Sequence, residues 1–232
     1  MGQHTSKSGG KVGGMTVATS AKAADGTDID LRDTPLRYGD HDTAVTGAMR
    51  QAVDAQERKR QGAKIEYAMG FNSRGEAIGE ARGGSGSVRT PASFWPTDGL
   101  FTHNHPRSAA KGEKGMLGGT FSQEDIDAFI RSPIRTMRAS ASEGTYSITR
   151  GSGFDGAGLR AYMKQVDQAT HATVRTKIKQ LQVDYRAKKI TAEQYNASAV
   201  KAVNEALVGL HNGLIAGQKQ YGYTYTLERR AQ

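Results

Sequence analysis

The chain has 232 residues, of which 36% are hydrophobic and 24% are charged, and its formal net charge is +9. No stretch approaches the run of about 20 apolar residues that a membrane-spanning helix needs, and the first residues are too polar to open a signal peptide. The chain contains no cysteine, which excludes disulfides, thiolate ligands and a cysteine nucleophile, so that any metal must be held by His, Asp or Glu. We expect a soluble cytosolic protein without a membrane partner.

The first 40 residues are rich in glycine and small polar residues and contain few apolar side chains. Burial of so little apolar surface does not offset the entropy that is lost when a chain becomes ordered. Residues 1–40 are therefore predicted to form a flexible arm. Its few apolar residues, among them Ile29 and Leu36, could dock on a partner or on the rest of the chain, or could contact nothing.

A helix is predicted over residues 41–61. Alanines recur at helical spacing between Ala44 and Ala55 and alternate with other apolar residues, which is typical of an amphipathic helix. Asp42 or Thr43 is the expected N-cap, and a glycine at position 62 follows the end of the helix.

Residues 62–150 carry the periodicity of strands and are predicted to form one domain. The order of strands, one helix and further strands predicts an α/β or α+β fold, with a single mixed sheet flanked by helices. The predicted elements are a hairpin of residues 65–71 and 77–82, a short strand at 99–102, a helix at 122–131, and a second hairpin of residues 134–140 and 145–149.

Residues 151–232 are predicted to be a helical extension that ends in a short strand. Helices are expected over residues 159–188 and 191–210, the second opened by a capping box of Thr191 and Gln194, and a third helical piece over residues 213–220. In the terminal strand, tyrosines at 221, 223 and 225 alternate with smaller residues, which favours one aromatic face against a core over stacking on nucleic-acid bases.

The positive charge is concentrated in this extension, which has 12 basic and six acidic residues and thus six of the nine excess charges. The charges are dispersed along helical patterns and do not form a run, which favours a solvated helix face. Nucleic acid is a possible but less favoured partner.

The residues that indicate chemistry lie in two segments, 101–106 and 122–125. His103 and His105 follow a short strand at positions i and i+2, and a proline fixes the backbone after them. Asp125 lies in the first turn of the next helix and could add an oxygen ligand. Two nitrogens and one carboxylate would leave the fourth position of a tetrahedral site to water, which is what catalysis requires.

Glu66 is the candidate general base because it interrupts an otherwise apolar strand. If it faces inward, burial raises the pKa of its carboxyl toward the range that suits a base; if it faces solvent, it has no such role. Glu76 and Glu80 on the next strand are alternative candidates. Ser122 would be placed to donate a hydrogen bond to a developing oxyanion.

Each half of this pattern also has a structural interpretation. The two histidines could be loop residues beside a proline turn. Ser122-x-x-Asp125 is a common helix start, in which the hydroxyl caps the helix and the acid complements the helix dipole. Trp95, just before the site, could line its wall or anchor the core.

A strand Glu, His-x-His-Pro and Ser-x-x-Asp occur here in the order that is found in the JAMM (MPN-plus, JAB1/Mov34) metallopeptidases, and the chain resembles that family over residues 62–150. The His-Asn-His-Pro form is most similar to the RadC-like branch and to JAB-type domains of bacteriophages and mobile elements. The resemblance implies a JAMM-like fold with cytidine-deaminase-like layering. It also implies Zn²⁺ held by His103, His105 and Asp125, with Glu66 as general acid/base and Ser122 as oxyanion donor.

We therefore expect a zinc-dependent peptidase or isopeptidase that acts on a protein or peptide in extended form. The alternative is a phage or mobile-element assembly or interaction protein, in which the metal site is structural or inactive; such a protein would lie in the bacterial host cytosol or in the virion. Sixteen residues separate His105 from Ser122, more than is common in the family, and residues 107–120 are predicted to form a mobile flap over the site.

Overall fold

A computed structural model of the chain describes residues 47–60, 62–106 and 116–229, together with residues 20–22, 28–30, 36, 39, 44 and 45. Most of the predicted arm, residues 1–40, lies outside the described residues. Within it, strands β1 (Ser20–Lys22) and β2 (Asp28–Asp30) pair in antiparallel fashion.

The described chain is a mixed α/β protein with one open sheet of six strands, which is compatible with the predicted α+β class. The strands follow the order β4-β3-β5-β6-β7-β8, and only β5 and β6 run parallel. The strands of this sheet are β3 (Tyr67–Phe71), β4 (Ala77–Arg82), β5 (Leu100–Asn104), β6 (Thr136–Ser140), β7 (Thr145–Arg150) and β8 (Tyr223–Glu228). The described helices are α1 (Gly47–Lys59), α2 (Gln123–Arg131), α3 (Gly156–Arg186) and α4 (Ala192–Tyr221), with a short 3-10 turn at Ala92–Phe94.

The two faces of the sheet carry different chemistry because successive side chains of a strand point to opposite faces. On β5, Phe101 packs in a large core with α2, α3 and α4, whereas Leu100 packs in a small cluster with Val53 of α1. Thr102, on the same face as Leu100, donates a hydrogen bond to the Glu57 carboxylate of α1. The sheet therefore lies between α1 on one face and three helices on the other.

The end of the chain supplies the sixth strand. Tyr223 and Tyr225 of β8 are buried in the large core, which confirms the predicted aromatic face of a terminal strand. Tyr221 instead ends α4, and Gly222 in the left-handed conformation turns the chain into β8. Residues 62–150 and the C-terminal helices thus share one core.

The prediction of two helical pieces over residues 191–220 is wrong, since α4 continues without a break from Ala192 to Tyr221. A methyl group at Gly213 would lie 2.8 Å from a Val166 methyl, and one at Gly217 would lie 2.6 Å from the Tyr223 hydroxyl. These glycines permit the close approach of α3 and β8 to α4 and do not interrupt the helix.

Two predicted boundaries also differ from the structure. Helix α1 begins at Gly47, later than predicted, and the expected caps at positions 42 and 43 lie outside the described residues. Strand β3 begins at Tyr67, but Glu66 still exchanges backbone hydrogen bonds with Gly83 and Gly84. Across the described ranges, no helix combines the length and apolar character that crossing a bilayer demands.

A buried ionic cluster joins α1 to the sheet. The Arg138 guanidinium of β6 is 1% exposed and donates to both Glu57 carboxylate oxygens at 2.8 and 2.9 Å, and it lies 3.3 Å from Glu228 of β8. Burial disfavours its charge, but the carboxylates of Glu57 and Glu228 outweigh this and raise the pKa of Arg138. Thr145 donates to the same Glu57 carboxylate at 3.2 Å. The cluster is paired and hydrogen-bonded, as a buried charge requires.

Replacing Arg138 by alanine is expected to lower the free energy of unfolding by about 3–5 kcal/mol, because the buried Glu57 carboxylate then loses its cation. Urea unfolding followed by Trp95 fluorescence measures the change. Arg74→Ala, which removes an exposed pair with Glu76, is the control and should leave the midpoint unchanged. Equal midpoints for Arg138→Ala and the wild type would contradict a stabilising role of the Arg138–Glu57 pair.

Candidate metal centre

The two histidines of the motif meet because they share one face of the same extended segment. His103 lies in β5, and His105 continues the pairing by donating its backbone N–H to Ser140 of β6 at 2.8 Å. Residues i and i+2 of a strand point to the same side. The Nε2 atoms of His103 and His105 are accordingly 2.9 Å apart.

Asp125 completes the cluster from the first turn of α2. Its Oδ1 lies 3.3 Å from His103 Nε2, and its Oδ2 lies 3.5 Å from His105 Nε2. Around a tetrahedral zinc ion with bonds of about 2.0–2.1 Å, neighbouring ligand atoms are about 3.3 Å apart. The three residues therefore fit one shared ion, and the cluster could hold a metal with all ligand atoms within 4.8 Å of one another.

The orientation of His105 is fixed by the loop that precedes α2. Its Nδ1 lies 2.8 Å from the carbonyl oxygen of Gly119, and because a carbonyl only accepts, Nδ1 carries the proton. In the neutral imidazole, the Nε2 of His105 therefore presents a lone pair toward His103 and Asp125. Outer hydrogen bonds of this kind orient metal-binding histidines. Gly119 has φ = 94°, a conformation that favours glycine.

Ser122 caps α2 and orients the Asp125 carboxylate at the same time. The Ser122 hydroxyl and backbone N–H both donate to Asp125 Oδ2 at 2.8 Å, and the hydroxyl accepts from the Asp125 N–H at 3.1 Å. This is a capping box in which the acid also faces the two histidines. The capping role of Ser122-x-x-Asp125 is thus observed, and it is compatible with the ligand interpretation because the same carboxylate faces both histidines.

Asn104, between the two histidines, fixes the backbone around Glu66. Its side chain accepts from the Tyr67 N–H at 2.7 Å and donates to the Ile65 carbonyl at 3.0 Å. These two residues flank Glu66, and Asn104 itself is buried. The position of Glu66 is thus tied to the strand that carries His103. This role of Asn104 is not apparent from the sequence, because its two partners lie 37 and 39 residues away along the chain.

Glu66 is buried and lines the same cleft as the three candidate ligands. Burial raises the pKa of its carboxyl, the positive influence of His103 and His105 opposes the rise, and Asp125 adds to it. The two alternative candidates, Glu76 and Glu80, do not line this cleft. Glu76 is exposed and pairs with Arg74, and Glu80 forms an ion pair with Arg60 at 2.5 Å.

Asp125 and His105 influence each other's pKa values. Burial disfavours the charged carboxylate of Asp125, but His103 and His105 outweigh it and hold the pKa of Asp125 well below its usual range. Burial likewise works against a charge on His105, and the hydrogen bond and charge of Asp125 raise the pKa of His105 nonetheless. Nδ1 of His103 is buried without a hydrogen-bond partner among the described residues. The Asp125 carboxylate thus stays ionised, and its charge favours a proton on His105 or a metal ion between the two histidines.

The loop before α2 is anchored by Glu143. Its carboxylate accepts from the N–H groups of Gly118 and Gly119 at 2.9 Å and from the Tyr146 hydroxyl at 2.6 Å. Glu143 lies between the two strands of the second predicted hairpin, and nothing local in the sequence connects it to residue 119. Residues 107–115, the larger part of the predicted flap, lie outside the described residues.

A cleft of about 770 Å³ opens from the metal ligands. Trp95 lines it, stacks on Phe101 with ring centroids 4.0 Å apart, and donates its indole N–H to Thr90 at 3.0 Å. Trp95 is therefore both a wall of the cleft and a packing residue. The far wall is formed by side chains of α3 and α4.

Comparison with family models, with curated proteins and with solved structures finds no match for this chain. The functional interpretation therefore depends on the geometry of the site and on its sequence motif.

Loss of the Ser122 hydroxyl is expected to weaken metal binding about 10- to 100-fold, because the Asp125 carboxylate then loses a hydrogen bond that orients it. Competition of Zn²⁺ and Co²⁺ against a chromophoric chelator measures the affinity of Ser122→Ala. Ser132→Ala is the matched control, since Ser132 bonds to the Phe129 carbonyl at the other end of the same helix. Equal affinities for the two variants would remove the positioning role of Ser122.

Proposed function

We propose that the chain is a zinc-dependent amide hydrolase of JAMM type, a peptidase or isopeptidase. The observation that carries this proposal is the convergence of two imidazole nitrogens and one carboxylate at the wall of an open cleft that Glu66 also lines. Three nitrogen and oxygen ligands with one open position are typical of catalytic zinc. The chain has no cysteine, and structural zinc sites are most often built with cysteine.

The layering of the fold supports the same family. The strand Glu and the two histidines lie at one end of the interior strands β3 and β5, and the Ser-Asp pair lies at the start of α2, with α1 on one face of the mixed sheet and α2 on the other. We take this arrangement as JAMM-like. The motif order and the position of Asp125 in the first turn of α2 agree with it.

Glu66 is the proton carrier of the proposed reaction. Zinc in such a site lowers the pKa of a bound water to about 7 and polarises a carbonyl oxygen. The Glu66 carboxylate accepts a proton from the attacking water, and its raised pKa suits both this step and the return of the proton. Protonated Glu66 then donates to the leaving nitrogen as the C–N bond breaks, which yields a carboxylate and an amine.

Ser122 has two tasks in this proposal. Its hydroxyl donates to Asp125 Oδ2, which keeps the carboxylate turned toward the histidines. As the donor to a developing oxyanion, the same hydroxyl would exchange Asp125 for the substrate oxygen. Ser122 lines the cleft, where such an exchange can take place.

Glu66→Gln is expected to keep the metal and to lower kcat about 10²- to 10⁴-fold, because an amide cannot accept the proton. The test compares zinc content and the cleavage of peptide and isopeptide substrates. Glu80→Gln is the matched control: it has the same chemistry on the neighbouring strand, but its residue pairs with Arg60 and does not line the cleft.

Zinc binding without Glu66-dependent cleavage would contradict the hydrolase and favour the alternative, a phage or mobile-element interaction protein with a structural or inactive metal site.

Removal of the metal is expected to abolish hydrolysis, and one equivalent of Zn²⁺ should restore it. His103→Ala should bind less than one equivalent and should not recover, because a ligand atom is missing. His171→Ala is the control for metal content and should bind one equivalent, since His171 pairs with Asp167 on α3 and lies outside the cluster of His103, His105 and Asp125. Hydrolysis that persists after complete chelation would contradict metal dependence.

A further inference from the structure

The cleft continues from the metal ligands into a trough between α3 and α4. Residues spaced three and four apart lie on one face of a helix, and the lining residues of both helices follow this spacing. The trough is lined on α3 by Asp167, His171 and Val174, and on α4 by Val203, Ala206, Leu207 and Leu210.

The wall contributed by α4 is entirely apolar, and we refer to Val203, Ala206, Leu207 and Leu210 as the α4 row. Leu207 and Leu210 are buried, whereas Val203 and Ala206 are half-buried. Apolar side chains that line a cleft gain free energy when a ligand removes them from water. Ala206 has the smallest side chain of the row.

The α4 row lies next to the metal centre. A methyl group at Gly119 would come within 2.7 Å of Leu207 Cδ2, so these two residues are in contact. The Gly119 carbonyl in turn accepts the hydrogen bond from His105 Nδ1 at 2.8 Å. Gly119 alone therefore separates Leu207 of the α4 row from His105. A substrate side chain adjacent to an amide bound at the metal can reach the α4 row.

The charges of the cleft restrict what it accepts. Acidic side chains at four positions line it, whereas none of the described lining residues is lysine or arginine; the acids are Glu66, Glu124, Asp125 and Asp167. Away from the metal itself, an acidic substrate side chain would meet like charges and no described lysine or arginine. An aliphatic side chain would meet the α4 row, and its burial is favourable.

We propose that the α4 row is the subsite for an aliphatic side chain of a peptide, next to the amide that the metal centre cleaves. This inference rests on the proposed hydrolase function and names its substrate class. A hydrophobic pocket that recognises side-chain size changes ligand affinity by about tenfold or more. A peptide with leucine at this position should therefore bind more tightly than one with alanine by that factor, and a peptide with glutamate should bind most weakly.

The test uses the zinc-loaded Glu66→Gln protein, so that binding is read without turnover. Fluorescein-labelled peptides from a library that varies one central position are titrated by fluorescence anisotropy. The expected result is a Kd about tenfold or more lower for leucine than for alanine at that position. The same peptides are then offered to the zinc-loaded wild type to read hydrolysis.

Ala206→Phe fills the trough and is expected to remove the preference for leucine, while binding of the alanine peptide changes little. Ala197→Phe is the matched control, because it makes the same substitution at an exposed position of the same helix. Unfolding midpoints check that both variants fold. Val203→Asp, which places a charge in the row, provides a second test if Ala206→Phe does not fold.

The outcomes separate the two proposals. Selective binding without any hydrolysis by the wild type contradicts the hydrolase and leaves the α4 row as a peptide-binding site. Absent binding, equal Kd values for the leucine and alanine peptides, or a preference that survives Ala206→Phe overturns the subsite, whatever the hydrolysis shows.

Discussion

The candidate metal centre depends on the hydrogen bond from His105 Nδ1 to the Gly119 carbonyl, which fixes the direction of the imidazole. Because the His105 Nδ1–H is committed to the Gly119 carbonyl, Nε2 faces His103 Nε2 at 2.9 Å and must meet either a proton or a cation there. The Asp125 carboxylate, whose pKa is held well below its usual range, supplies the balancing negative charge within 3.5 Å. A divalent metal satisfies both histidines and the carboxylate at once.

The local part of this arrangement could be predicted from the sequence. Strand periodicity places residues 103 and 105 on one face, and a Ser-x-x-Asp helix start places Asp125 at the N-terminus of α2. The supporting contacts could not be predicted, because they join residues that are distant along the chain. Asn104 reaches the backbone on both sides of Glu66, and Glu143 holds the loop of Gly119. Neither residue type at those positions indicates its partner.

The C-terminal helices differ from the predicted elements most clearly at residues 210–213. One helix is predicted to end at residue 210 and a further piece to begin at residue 213, but α4 is continuous there although it contains Gly213 and glycine is unfavourable inside a helix. In the structure the missing side chain lets α4 approach Val166 of α3, and packing outweighs intrinsic propensity. Residues 151–232 are predicted to be a helical extension that ends in a strand, and in the structure this strand, β8, joins the sheet while α4 forms a wall of the cleft. Such closure depends on long-range packing, which periodicity does not encode.

The two faces of the sheet carry different groups: a buried ion pair on the α1 face and the candidate metal ligands on the other. On the α1 face, Arg138 of β6 pairs with Glu57, and this contact fixes α1 to the central strands. On the backbone of the same strand, the Ser140 carbonyl accepts the N–H of His105, and the parallel register aligns His103 with Ala139. Because a slip of one residue would turn every side chain of a strand to the opposite face, the ionic contact of Arg138 and the direction of both imidazoles depend on one register. The buried ion pair therefore stabilises the register in which the candidate metal ligands meet, although it contacts none of them.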